Sequence, residues 1–138
     1  MKYYIILALS VFCFALQAQD SATVYYRLAA KKFDFDKHEE AERLVDKSIL
    51  FKATDSAYIL KHFLHYRNKS KSITYLDTAI SINPSAANYV RRGNVKYDYA
   101  NSWDTSSAIK DYDSAIQKDP QNADAYIKKA GLLGAVKE

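Results

Sequence analysis

Cysteine is nearly absent from this chain: 138 residues contain one, Cys13. A single cysteine excludes an internal disulfide framework and any multi-cysteine zinc site. Three glycines and two prolines exclude collagen-like and linker-like chains, and they argue against an all-β fold built on tight turns. No Gly-rich phosphate loop and no Gly-x-Ser-x-Gly elbow occurs, so the common local signatures of enzymes are missing. A strong excess of one charge is lacking too. Twenty Lys and Arg stand against 16 Asp and Glu, a net charge of +4, too weak to imply nucleic acid without a concentrated patch. What is present is the balance of a folded soluble protein, 49% apolar and 26% charged. The length allows one ordinary domain or a short array of small repeats.

The first segment reads as an address label. Lys2 supplies a positive start, and Tyr3 to Leu16 is apolar except for Ser10. Gln17, small Ala18, Gln19 and Asp20 follow. This is the order of a secretory signal peptide, and it places cleavage after Ala18, although Leu16 stands where a small residue is usual. The apolar run is shorter than the ~20 residues that span a bilayer, which favours a cleaved leader over an anchor. Phe12 before Cys13 departs from a lipoprotein signal. Residues 1–18 are therefore expected to be a signal peptide and 19–138 the mature domain. That domain lacks cysteine and any membrane insertion, and its expected location is secreted or periplasmic, in a bacterial cell envelope.

From residue 41 onward the sequence repeats itself with helical periodicity. Ala41, Leu44, Val45, Ser48 and Ile49 fall on one helix face, with Glu42, Arg43, Asp46 and Lys47 outside it. A second copy reads Ser72, Ile73, Leu76, Ala79, Ile80, and a third reads Ala108, Ile109, Tyr112, Ala115, Ile116. Each begins with a small residue, has a bulky one four on and a small one seven on. The small residues let a neighbouring helix approach, and the bulky one fills the space between. Each copy is preceded by a helix marked by an aromatic: Tyr25, Tyr58 and Tyr89, with Tyr126 marking a further one. Their spacing averages close to the period of about 34 residues of a helix–turn–helix repeat. Pro84 and Pro120 punctuate the steps between units. Asp20-Ser21, Thr54-Asp55, Ser85 and Asn122 are the candidate N-caps.

These residues resemble the tetratricopeptide repeat (TPR) family, whose pattern is Trp-x2-Leu-Gly-x2-Tyr, then Ala-x3-Phe, Ala and Pro. In the third unit Tyr89 stands for the Trp, Gly93 is the Gly, Ala108 and Tyr112 form the Ala-x3-Phe, and Ala115 and Pro120 complete it. The first unit offers Tyr25, Leu28, Ala29, Ala41, Val45 and Ser48. The second is degenerate, with His62 where a small residue belongs. The resemblance implies an all-α, right-handed superhelical stack of helix–turn–helix repeats, a TPR-like α-solenoid of about three and a half repeats. Its units run roughly 22–54, 55–85 and 86–122, with a partial one at 123–138. The third unit carries extra residues in its inner turn, which includes Trp103. The half-unit reads either as a capping helix, weakened by Gly131 and Gly134, or as the remainder of a longer array.

The resemblance also implies a function. In the family, the first helix of each pair lines a concave groove that commonly binds an extended peptide, and no chemistry is built in. The expected role is therefore non-enzymatic binding of a protein or peptide, with no cofactor and no metal. Carrying the family's groove positions over gives Tyr26, Arg27 and Phe33 in the first unit and Phe63 and Tyr66 in the second. The third gives Arg91, Asn94 and Tyr97, and the fourth Lys128. Ile59, Leu60, Val90, Asp124, Ile127 and Gly131 occupy equivalent positions. Arg27, Arg91 and Lys128 share one position in three units, and Arg holds carboxylates with paired hydrogen bonds. Family members that clamp a terminal carboxylate use Lys, Arg and Asn at such positions; Arg91 and Asn94 resemble part of that clamp, while Ala30 replaces the first unit's Asn.

Other candidates carry less. His62 and His65 share a helix face but lack a converging third ligand. Asp111 and Asp113 flank Tyr112 on different faces and do not form a catalytic pair. Tyr89, Tyr112 and Tyr126 are expected in the core. Lys31-Lys32 and Lys128-Lys129 are expected to be solvated. An alternative to groove binding is a structural subunit that packs in an envelope complex, as a homo- or hetero-assembly, through Leu132, Leu133 and Val136 at the open end.

Overall fold

A computed structural model describes residues 2–98 and 105–135, with side chains from Gln17 onward except those of Ala18 and Ala135. The described residues form seven α-helices and no strand: α1 (Lys2–Asp34), α2 (His38–Phe51), α3 (Asp55–Leu64), α4 (Lys69–Ile82), α5 (Ala86–Asp98), α6 (Thr105–Lys118) and α7 (Ala123–Ala135). Trp103, most of the inner turn of the third unit, and Val136 lie outside the described residues. Among the described residues, no helix is long and apolar enough to cross a membrane. The chain divides into two compact units, Met1–Leu60 and Lys61–Glu138, with the division inside α3.

In the first unit, α1 and α2 pack as an antiparallel pair through small residues. Ala22 and Ala29 of α1 and Ala41, Val45 and Ser48 of α2 are buried. The approach is close enough for Ser48 Oγ to donate to the Ala22 carbonyl at 2.7 Å. Alanine spacing thus brings the backbones together, and the hydroxyl adds about 1 kcal/mol by satisfying itself on α1. The helix reverses at Asp36, which takes a left-handed φ of 58°. Lys37 N–H then donates back to Lys32 O at 2.9 Å. This closes α1 without a glycine, in a position aspartate tolerates better than most residues. Tyr25 stacks on Phe51 at 5.6 Å, and Lys47 Nζ lies over the Tyr25 ring, 5.6 Å from its centre.

One cap expectation fails here. Asp20-Ser21 does not start a helix, because α1 runs unbroken through it. The Leu, Ala and Gln residues before it favour continued helix, and no Gly or Pro interrupts them. The other caps do form. Thr54 Oγ1 accepts from Ala57 N–H at 3.2 Å, Ser85 Oγ from Asn88 N–H at 3.4 Å and Asn122 Oδ1 from Ala125 N–H at 3.0 Å. Asn68, not singled out by sequence, caps α4 by accepting from Lys71 N–H at 3.0 Å.

The second unit has its own core. Ala86 and Val90 of α5, Ala108, Tyr112 and Ala115 of α6, and Ala125 and Leu132 of α7 are buried together, with Tyr89, Ile109 and Ile116 packed against them. Tyr112 is the largest fully buried side chain among the described residues. Its ring lies against Gly93, where an added Cβ would meet Cε1 at 2.7 Å. Gly93 therefore sets how closely α5 approaches α6. Tyr126, expected in the core, is 48% exposed. Its neighbour Ala125 takes the face of α7 turned to the core, and no described element covers the next position round. Leu132, expected at the open end, is instead buried on that same face, three and four residues being one helical turn. Leu60 too is buried, in the first unit, rather than exposed on a groove.

Candidate functional site

The residues expected to bind fall into both units, so each set is described by itself. In the first, Tyr26 helps line a cavity of about 250 Å³ with Gln19, Thr23, Ser48, Lys52 and Ser56. Lys52 Nζ donates to Gln19 Oε1 at 2.9 Å there. Arg27 is exposed on α1. Phe33 is half-buried and stacks on His38 at 5.4 Å. The lysine pair nearby is only partly solvated as expected: Lys32 reaches Glu40 at 2.9 Å, and this hydrogen bond draws the Glu40 carboxyl below its ordinary range.

The second unit concentrates the remaining six. Helical spacing puts Ala87, Val90, Arg91, Asn94 and Tyr97 on one face of α5. Arg91 and Asn94, with Ala87, Val90, Asn122 and Asp124, line a cavity of about 270 Å³. Tyr97 and Lys128, with Tyr112, Ile127, Gly131 and Leu132, line another of about 220 Å³. Asn94 Oδ1 accepts from Tyr112 Oη at 2.9 Å. Arg91 Nη1 donates to Asn88 Oδ1 at 3.2 Å. Asn88 is itself buried and fixed by donating from Nδ2 to Asn83 O at 2.9 Å. Burial first, then the neighbouring carboxylates Asp98 and Asp124, push the Tyr112 phenol up to about 12. It therefore remains a hydrogen-bond donor at any physiological pH.

Phe63 and Tyr66 lie around His62. Tyr66 Oη donates to Asp98 Oδ2 at 3.0 Å. The His62 ring lies 4.7 Å from that of Phe63 and 5.9 Å from that of Tyr66. His62 is buried and its Nδ1 is 2.6 Å from the buried Ser72 Oγ. Desolvation, aided by the positive charge of Arg91, lowers its pKa to about 4, so it is neutral at pH 7. The histidine that breaks the repeat pattern is thus a packing residue tying α3 to α4. His65 points elsewhere, against the Tyr75 ring at 5.4 Å. Among the described residues, no group of three or more His, Cys, Asp or Glu can hold a metal ion.

Sequence reasoning missed an ion network on a second face of α5. Arg92 grips Asp111 with two parallel hydrogen bonds, Nε to Oδ2 at 3.0 Å and Nη2 to Oδ1 at 2.6 Å. Its Nη1 reaches Asp77 Oδ1 at 2.6 Å, and Lys96 Nζ reaches Asp111 Oδ2 at 2.8 Å. The Asp111 side chain is only 4% exposed. These hydrogen bonds, to Asp111 above all, raise the Arg92 pKa still further from neutrality. The signal was present in the doublet Arg91-Arg92: neighbours on a helix lie about 100° apart, so one arginine faces the cavity and the other cannot. Asp113 points away from Asp111, as expected, and pairs with Lys129 at 2.5 Å. Lys129 is therefore bound, not solvated.

This arrangement of paired helices is the tetratricopeptide-repeat fold. No family model matches the sequence and no curated protein matches it, but solved structures do. The first TPR domain of Spaghetti (RPAP3), bound to the HSP90 peptide SRMEEVD, superposes with a TM-score of 0.73 at 19% identity, covering 87% of this chain and 96% of that one. The Arabidopsis OM64 TPR domain gives 0.72 at 16% identity, covering 86% and 98%. YrrB, described as a TPR protein with an unusual peptide-binding site, gives 0.66 at 15%, covering 85% and 61%. At these identities the likeness is one of fold.

Proposed function

We propose that this chain is an exported, non-enzymatic protein-interaction module that binds a peptide or protein segment on the face formed by α5 and α7. One observation carries the reading. Arg92, Lys96, Lys129 and Lys32 are all held by carboxylates, whereas Arg91 and Lys128 face open cavities without an ion pair among the described residues. Cations left uncommitted beside half-exposed tyrosine are suited to a partner's acidic and apolar groups. The peptide-bound RPAP3 domain and YrrB's peptide-binding site lend support by analogy of fold. The leader-like order of residues 1–18 is the basis for export, into the periplasm or beyond.

The test is a crosslinking pull-down from cell-envelope extract with the tagged protein, run beside a variant carrying Arg91→Ala and Lys128→Ala. A specific partner captured by the first and lost by the second is expected. Equal capture by both overturns the cationic surface. It would favour the alternative, a subunit packed through α7, for which exposed Tyr126 and Leu133 speak; Leu133→Asp should then release the partner.

A further inference from the structure

Gly131 has no reason in the fold to be glycine. It lies inside α7 with an ordinary helical backbone, and a Cβ added there would meet nothing within 4 Å. Glycine in a helix interior is less stable than alanine. At Gly93 that cost is offset by the Tyr112 ring; at Gly131 nothing in the described chain offsets it. What the missing side chain leaves is space. Gly131 lines the cavity of about 220 Å³, whose floor is Tyr112 and Leu132 and whose sides are Tyr97 and Ile127. Floor and sides are apolar or aromatic, and Lys128 is the one charged residue in the lining.

Resting on the reading of this face as a peptide-binding surface, we infer that the cavity is a size-selective subsite. It takes one bulky apolar side chain of the partner peptide, of phenylalanine or leucine size, with a carboxylate beside it. Gly131 determines the size admitted, and Lys128 selects for the neighbouring negative charge. The apolar lining accounts for the first requirement, since burial of a large side chain is the main source of affinity in such a cup. Lys128 accounts for the second. Its ammonium has no ion-pair partner among the described residues, while Lys129 beside it already holds Asp113. A lone cation in the lining is complementary to an acid next to the buried side chain, not at its tip, although Asp98 and Asp124 lie near enough to act on Tyr112.

Three probes separate these requirements: N-acetyl-L-phenylalanine has ring and carboxylate, its amide has the ring alone, and N-acetyl-L-alanine has the carboxylate alone. Each would be titrated to millimolar concentration into 15N-labelled protein, following amide shifts. The Gly131 and Lys128 amides should move together and saturate with N-acetyl-L-phenylalanine. Gly131→Leu should weaken that probe by at least about tenfold, as loss of one large buried side chain implies. Gly131→Ala, whose methyl the open space accepts, should retain it and shows that the helix tolerates a side chain. Lys128→Gln should weaken the acid by about threefold and leave the amide unchanged. Shifts scattered elsewhere, equal affinity for all three probes, or binding indifferent to Gly131→Leu would overturn the subsite. Failure of the pull-down to capture any partner would instead count against the peptide-binding reading, leaving the probe result standing. Capture that survives Gly131→Leu undiminished overturns the subsite alone.

Discussion

The two faces of α5 use the same kinds of residue to opposite ends. Toward α4 and α6, Arg92 and Lys96 are gripped by Asp77 and Asp111, and Gly93 admits the Tyr112 ring. Toward α7, Arg91 lines an open cavity, and on α7 itself Lys128 and Gly131 line another, with nothing of the fold within 4 Å of a Cβ added at Gly131. One face closes every polar group on another, as buried groups must. The other leaves charges and space unused, which stability alone does not explain. The difference separates residues that hold the fold from those proposed to meet a partner, although the composition of both faces is alike.

The contrast is broken most severely at Asp111. Asp111→Ala strands Arg92 and Lys96 half-buried without their shared carboxylate. It should destabilise the protein by on the order of 3 kcal/mol, read from denaturant midpoints. Arg91→Ala, which removes one hydrogen bond to Asn88 and no ion pair, should cost only about 1 kcal/mol.

Acid should attack the closed face next. Burial and Arg91 lower the pKa of His62 to about 4, against the ordinary 6.5 of histidine. The unfolded chain binds a proton first as pH falls. The contribution of His62 is therefore fully present above pH ~6.5 and is lost progressively toward pH ~4, amounting to about 3 kcal/mol. Thermal melts across that window should show the loss, and His62→Gln should flatten it; an unchanged slope in that variant would assign the effect to other groups. Gly93→Ala, which drives a methyl into Tyr112, should cost about 1–3 kcal/mol. Gly131→Ala is the smallest effect and of opposite sign. It should stabilise by up to about 1 kcal/mol in the same melts, and a destabilisation there would remove the distinction between the two glycines.

Periodicity made one class of fact legible. Of the periodic positions, Ala41, Val45, Ser48, Ser72, Leu76, Ala79, Ala108, Tyr112 and Ala115 are buried, and Leu44, Ile49, Ile73, Ile80, Ile109 and Ile116 are half-buried beside them. Such positions repeat because every pair of helices solves the same packing problem. Tyr126 looked like another of them and is exposed, because a pattern on one helix reports which face is apolar, not what covers it. The Arg92–Asp111–Asp77 network was illegible for a different reason. It joins three helices across 15 and 19 residues of sequence, and no local pattern encodes that convergence. The candidate groove residues stand between these cases. Their face on α5 followed from helical spacing, but the cavity at Gly131 required knowing that no side chain fills the space.

The His62–Ser72 bond bears on how this sequence can drift. A histidine has replaced the small residue expected at that point of the repeat, and it is satisfied only because a hydroxyl waits 2.6 Å away on α4. Reverting His62 alone would orphan the Ser72 hydroxyl in a hole; changing Ser72 alone would orphan the imidazole. The two positions can be exchanged only together, so among descendants of this gene they should vary as a pair, and a library randomised at both sites should return its survivors as matched combinations.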